Sequence, residues 1–143
     1  MITGLGHTGL VVRDMERMID FYRDAFGFQV IIDTAVSGQE ADRIVDFHVE
    51  HERIVLMQLQ NSQIELLEYR PLGRDYPEDY KSNDLFGVHL ALQTNDMEGD
   101  FAMLKAKGVK IFREIKTIAA EKIRVFLIHD PEGHVVEIQS GLE

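Results

Sequence analysis

The sequence predicts an α+β fold in which two β-α-β-β-β modules form one domain of 143 residues. The main observation is an internal repeat, because HTGLVVRDMERMIDFYRDAFGFQV at residues 7–30 and HLALQTNDMEGDFAMLKAKGVKI at residues 89–111 follow one pattern. In both segments a His on an apolar run precedes Asp-Met-Glu by seven residues, and the helical stretch that follows ends at a Gly. A repeat of this length indicates a duplicated supersecondary unit.

The two predicted helices have matching start and stop signals. Asp14 and Asp96 are suited to accept the free N–H groups of a first helical turn. Apolar residues then recur at helical spacing, and Gly27 and Gly108 suit the left-handed conformation that ends many helices. Each module is therefore expected to carry one helix directly after its first strand.

Strands account for the remaining regular structure. The predicted strands, chosen for β-branched and aliphatic content, are residues 5–12, 28–34, 43–49, 52–59 and 63–69 in the first module and 87–94, 109–115, 123–129 and 134–139 in the second. Module one is expected to span residues 1–69 and module two residues 87–143. Residues 70–86 are polar, contain two Pro and one Gly, and are expected to link the modules.

The composition excludes several classes of protein. There is no Cys, which excludes disulfide scaffolds, thiolate metal sites and cysteine nucleophiles. The formal charge of −10 repels phosphate backbones, so no nucleic-acid partner is expected unless the charge is very unevenly distributed. No apolar run reaches the roughly 20 residues that span a bilayer, and the N-terminus does not resemble a signal peptide. These features predict an acidic, cytoplasmic protein with no membrane partner.

Alternation along the strands isolates four polar side chains. His7, Glu65, His89 and Glu137 lie on the strand faces opposite those that the helices are expected to cover. Each module thus supplies one His on its first strand and one Glu on its last, and pseudo-twofold symmetry would bring the four together. A hydrogen-bonded structural role is the alternative for any single His. The recurrence weakens that alternative for the four together, and two imidazoles with two carboxylates suit a divalent metal ion of Zn, Ni, Co, Mn or Fe.

Four segments carry a family resemblance: GHTGLVVRDMERMIDFYRDAFGF, QIELLEY, GVHLAL and FLIHDPEGHVVEI. They resemble the vicinal oxygen chelate superfamily, which includes glyoxalase I, methylmalonyl-CoA epimerase, extradiol dioxygenases and bleomycin-resistance proteins. The resemblance implies a homodimer and paired modules forming a cupped mixed sheet around a metal, with His7, Glu65, His89 and Glu137 as ligands. The presence of all four ligands favours the glyoxalase I or epimerase type.

The resemblance also implies a reaction on a small-molecule substrate. A metal-dependent lyase or isomerase would abstract a proton next to a metal-bound carbonyl of a hemithioacetal or an acyl thioester. Glu137 is the expected base, and Glu65 would serve the opposite face of the substrate. A non-haem iron dioxygenase and a non-enzymatic antibiotic-binding protein are the alternatives, and the sequence leaves the native metal and the substrate open.

Several other polar residues have either a functional or a structural interpretation. Arg124 precedes the Asp130-Pro131-Glu132-Gly133 turn and is either a cation for a substrate anion or a solvated strand residue. Glu50 and Glu52 lie near a position where epimerases have a second base. The histidines that do not repeat between the modules are expected at the surface: His48, His51, His129 and His134.

Overall fold

The computed structural model describes residues 1–85, 87–118, 120 and 122–141. The first half of the chain forms β1 (Thr8–Val11), α1 (Met15–Phe26), β2 (Gln29–Val36), α2 (Gln39–Asp42), β3 (His51–Leu59) and β4 (Ser62–Arg70). The second half forms β5 (His89–Gln93), α3 (Met97–Ala106), β6 (Lys110–Ile118), β7 (Ile123–His129) and β8 (Val135–Ser140). No helix in these described ranges is long and apolar enough to cross a lipid bilayer.

The strands form two four-stranded mixed sheets with the same topology. The strand order is β1-β4-β3-β2 in one sheet and β5-β8-β7-β6 in the other. In each sheet the first strand pairs parallel with the last strand, and the other pairs are antiparallel. The chain divides into two compact units, Met1–Tyr76 and Pro77–Glu143, with one sheet in each. The predicted α+β class and the duplicated β-α-β-β-β module are confirmed.

The predicted caps begin both long helices. The Asp14 carboxylate accepts a hydrogen bond from the Arg17 backbone N–H at 3.1 Å, and the Asp96 carboxylate accepts from Gly99 N–H at 3.0 Å. Gly27 follows α1 with φ of 83°, a left-handed conformation that glycine adopts without a steric cost. In α1 the apolar stripe is buried: Met15, Met18, Ile19, Tyr22 and Ala25.

Alternating burial gives each sheet one core face and one partly exposed face. In β3, Val55 and Met57 are fully buried, whereas the alternating residues Ile54 and Leu56 are only half-buried. Burying an aliphatic side chain of this size stabilises the fold by about 1.5–3 kcal/mol. The residues of the core faces are therefore needed for packing, whereas the partly exposed faces can carry polar side chains.

The predicted strand at residues 43–49 is wrong. The chain forms the short helix α2 and then a series of turns, which the Asp42 carboxylate holds by accepting the Val49 N–H at 2.8 Å. Ala41 and Val49 are fully buried and anchor the two ends of this segment. Its polar residues satisfy their hydrogen bonds locally, so the segment does not need a sheet partner.

Candidate functional site

One predicted His–Glu pair lies on the partly exposed face of the first sheet. Glu65 on β4 is the Cα partner of Gly9 on β1, and His7 lies two residues before Gly9. Side chains two residues apart on a strand point to the same face, so His7 and Glu65 meet. His7 Nε2 lies 3.3 Å from Glu65 Oε2, and the two side chains are 45% and 23% exposed.

The second sheet repeats this arrangement in the same register. Glu137 on β8 is the Cα partner of Ala91 on β5, and His89 lies two residues before Ala91. His89 Nε2 lies 3.7 Å from Glu137 Oε2, with exposed fractions of 54% and 22%. In each unit, one predicted His and one predicted Glu therefore come into contact, from an identical offset between strands.

The donor chemistry of each pair suits a divalent cation. A His–Glu pair offers one imidazole nitrogen and one carboxylate oxygen, the donors that Mn, Fe, Co, Ni and Zn accept. The partial exposure of the pairs leaves these donor atoms accessible to a ligand. Across the described residues, no three His, Asp or Glu side chains group closely enough to hold a metal ion, so neither pair completes a metal site by itself.

Glu52 and Tyr69 share the face of the first pair. They are Cα partners on β3 and β4, and Tyr69 lies four residues after Glu65 on the same side of β4. Glu52 is only 2% exposed, and its Oε2 has no hydrogen-bond partner among the described residues. Burial raises the pKa of the Tyr69 phenol to about 12, with further contributions from its hydrogen bond to Glu52 and from the charges of Glu52 and Glu65.

Tyr69 was not among the predicted site residues. Its signal in the sequence is the two-residue period from Glu65 through Leu67 to Tyr69, which places all three on one face. Of the two carboxylates considered as a second base, Glu52 lies on the face of the pair, whereas the exposed Glu50 precedes β3.

Arg124 does not lie on the site face. Val125 and Leu127 on β7 share the face of Glu137, and Arg124 points to the opposite side. Its guanidinium forms an ion pair with Glu98 of α3, which raises the pKa of Arg124. The structure therefore supports the solvated strand role of Arg124 and not the role of a substrate-anion cation.

Two histidines are partly buried where surface positions were expected. The His134 ring lies 2.8 Å from the Asp130 carboxylate, and these side chains are 13% and 0% exposed. Asp130 also accepts the backbone N–H groups of Glu132 and His134, which closes the turn before β8. The prediction that His134 lies at the surface is wrong, because the turn holds its ring against the buried Asp130 carboxylate. A contact within a turn has no periodic signal in the sequence.

His129 is also partly buried, on the site face of the second sheet. Its ring stacks on Phe112 with centroids 4.1 Å apart and an interplanar angle of 13°. Burial lowers the pKa of His129, and the nearby positive charge of Lys110 lowers it further. His48, by contrast, is exposed as predicted and contacts Asp42 at 2.9 Å.

The structure has two units of the same topology, and each unit contains one His in contact with one Glu. This arrangement is the one expected for the two-module proteins that the sequence resembles. Residues 4–138 match the family model of the Glyoxalase/Bleomycin resistance protein/Dioxygenase superfamily, and the chain belongs to this superfamily.

Relatives and solved structures agree with this membership. The chain is 29% identical over 142 residues to the human mitochondrial methylmalonyl-CoA epimerase, covering 96% of this chain and 73% of that protein. A glyoxalase family protein from Bacillus cereus has a similar structure, with a TM-score of 0.85 at 18% identity over 100% of this chain and 97% of that one. The fosfomycin resistance protein FosX from Listeria monocytogenes, complexed with Mn(II) and sulfate, has a TM-score of 0.63 at 20% identity over 99% and 95% of the two chains.

Proposed function

We propose that the protein is a metal-dependent lyase or isomerase that removes a proton next to the carbonyl group of a small thioester or hemithioacetal. The observation that carries this proposal is the His–Glu pair repeated at one register in both units. His7, Glu65, His89 and Glu137 would hold one divalent ion of Mn, Fe, Co, Ni or Zn. The Mn(II) in the structurally similar FosX supports a divalent ion in a fold of this type.

The carboxylates carry the proton chemistry in this proposal. A bound divalent ion would supply a Lewis acid that stabilises negative charge developing on a carbonyl oxygen. Glu137 accepts the proton from the carbon next to the carbonyl and returns it to the same or the neighbouring carbon. Glu65 would do the same for the other face of the substrate.

The similarity to methylmalonyl-CoA epimerase supports proton transfer in particular. An epimerase inverts a stereocentre, and inversion next to a thioester carbonyl removes a proton from one face of the carbon and adds a proton to the opposite face. Both carboxylates lie on partly exposed sheet faces and are themselves less than a quarter exposed. That environment shields the two carboxylates from much of the bulk water.

The test is the substitution Glu137→Gln, measured by exchange of the α-proton into heavy water with methylmalonyl-CoA and with the methylglyoxal–glutathione hemithioacetal. Loss of a general base is expected to slow exchange by roughly 100-fold to 10,000-fold. The matched control is Glu78→Gln, the same change at an exposed carboxylate, which should exchange at the parent rate. Near-parent exchange in Glu137→Gln would overturn the assignment of the base.

Metal content and oxygen dependence separate the competing reactions. Activity under anaerobic conditions with Zn, Ni or Co would exclude a dioxygenase, since that reaction consumes oxygen. Activity unchanged by a strong chelator, in protein that contains no divalent metal, would overturn the metal-dependent proposal.

A further inference from the structure

Positive charge is concentrated in one short stretch of this acidic chain. Residues 105–124 contain seven of the 15 Lys and Arg residues and only two of the 25 Asp and Glu residues. This stretch covers the end of α3, the whole of β6 and the start of β7. Because the rest of the chain is strongly acidic, anions are repelled elsewhere and attracted here.

Two bulges in β6 bring three of these cations to one face. Lys110, Arg113 and Lys116 are three residues apart, so a regular strand would point them alternately to opposite faces. Register shifts between Ile111 and Arg113 and between Arg113 and Lys116 each add one residue to β6. The β7 partners of the three cations are, in order, His129, Leu127 and Val125. Since these partners are two residues apart, the three cations form a row on one face, which we call the basic row.

The basic row lies on the face that carries the His89–Glu137 pair. Leu127 is the partner of Glu137 on β8, and Val135 on β8 is the partner of both His129 and His89. The candidate pair, β8, β7 and the basic row therefore follow one another across a single sheet face.

Side-chain contacts support this placement. The Phe112 ring at the first bulge stacks on His129, and the Arg113 guanidinium lies 5.8 Å from the centre of the Phe112 ring. The charge of Lys110 acts on the His129 ring on the same face. Lys110, Arg113 and Lys116 are exposed and form no ion pair with another described residue, whereas Arg53 and Arg124 on the strand faces that carry the helices are ion-paired.

We propose that the basic row binds the phosphate groups of an extended substrate whose reacting carbonyl lies at the His89–Glu137 pair. This inference rests on the proposed function and names the substrate class as a phosphate-bearing thioester. Neighbouring cations in the row stand about 7 Å apart along β7, so the row suits several phosphate groups along one molecule. Lys and Arg are the side chains that bind phosphate most strongly, and Phe112 adds an aromatic surface beside them.

The experiment measures binding of coenzyme A by calorimetry, in the presence of a chelator and at low and high salt. The double variant Arg113→Gln/Lys116→Gln is compared with Lys105→Gln/Lys107→Gln, which removes two exposed lysines at the end of α3. Removal of two row cations is expected to weaken binding by about 10-fold or more and to reduce its salt dependence. The α3 control should retain parent affinity. Equal weakening in both double variants would show general charge attraction and would overturn the proposal.

Two further probes identify the chemistry that the row recognises. Adenosine lacks phosphate and should not bind measurably, and glutathione, with carboxylates and an ammonium group, should bind far more weakly than coenzyme A. Binding of glutathione as tightly as coenzyme A would overturn the phosphate assignment.

A kinetic comparison separates this inference from the proposed reaction. The row variant should raise KM for methylmalonyl-CoA by about 10-fold and leave methylmalonyl-pantetheine, which lacks phosphate, unaffected. An equal effect on both thioesters would overturn the row. Glu137→Gln is expected to lose the reaction and to bind coenzyme A as tightly as the parent. That result would support Glu137 as the base and would agree with phosphate binding by the basic row.

Discussion

Tyr69 holds its proton more tightly in the folded protein than in water. Its pKa is raised from 10.0 to about 12, first by burial and then by its hydrogen bond to Glu52. Because the folded pKa is the higher one, this phenol stabilises the fold fully below pH 10, and the contribution is lost as the pH rises towards 12.

The prediction is a loss of stability confined to alkaline solution. Between pH 9 and pH 11 the free energy of unfolding of the parent should fall, and in Tyr69→Phe the fall should be smaller, because Phe has no proton to lose. Urea unfolding at each pH measures this difference, and Tyr76→Phe is the control because Tyr76 is 57% exposed. The same pH slope in Tyr69→Phe and the parent would contradict the role of Tyr69.

The face on which Tyr69 lies could be predicted from the sequence, but its surroundings could not. Strand alternation is enough to place Glu52, Glu65 and Tyr69 on one face. The surroundings of Tyr69 depend instead on the segment wrongly predicted as a strand, in which Phe47 packs edge-on against Tyr69 at 5.5 Å. Tertiary contacts made by turns leave no periodic signal, so these surroundings could not be predicted.

The capping aspartates of α1 and α3 are expected to stabilise the fold. Each carboxylate satisfies an otherwise free backbone N–H, at Arg17 in α1 and at Gly99 in α3. Asp14→Ala is therefore expected to reduce the free energy of unfolding by about 1 kcal/mol, and Asp14→Asn, which keeps the acceptor, by less. Asp20→Ala removes the same charge from the middle of α1 and should show no comparable loss. Chemical denaturation measures all three, and a similar loss in Asp20→Ala would indicate an effect of charge alone.

Strand β6 shows what helix and strand patterns cannot reveal. A strand in this region was predictable from its residues, and the structure contains one at Lys110–Ile118. The shared face of Lys110, Arg113 and Lys116 was not predictable, because regular alternation separates them and the bulges depend on pairing with β7. The position of these three cations on one face therefore follows from the strand register, which the composition does not reveal.

The duplication governs the whole molecule. Each unit places its Glu opposite the residue two positions after its His, so one strand register is used twice. This is why the four candidate ligands were accessible from sequence: a repeat combined with strand alternation needs no long-range contact to be predicted. The structural difference between the units, a buried Glu52 in one and the basic row in the other, arises outside the repeated positions.

If the repeated pairs hold one divalent ion, both pairs contribute to the stability of the metal-bound protein. A ligand that binds only the folded state stabilises it by about 2.7 kcal/mol at a concentration 100-fold above Kd. Added Mn or Zn should therefore raise the thermal midpoint of the parent, and His7→Ala and His89→Ala should each abolish most of that rise. His48→Ala, which removes an exposed His paired with Asp42, should keep the parent response. A full metal response in either His7→Ala or His89→Ala would show that the corresponding pair is not a ligand pair, since the loss of an imidazole ligand weakens binding wherever that imidazole coordinates the ion.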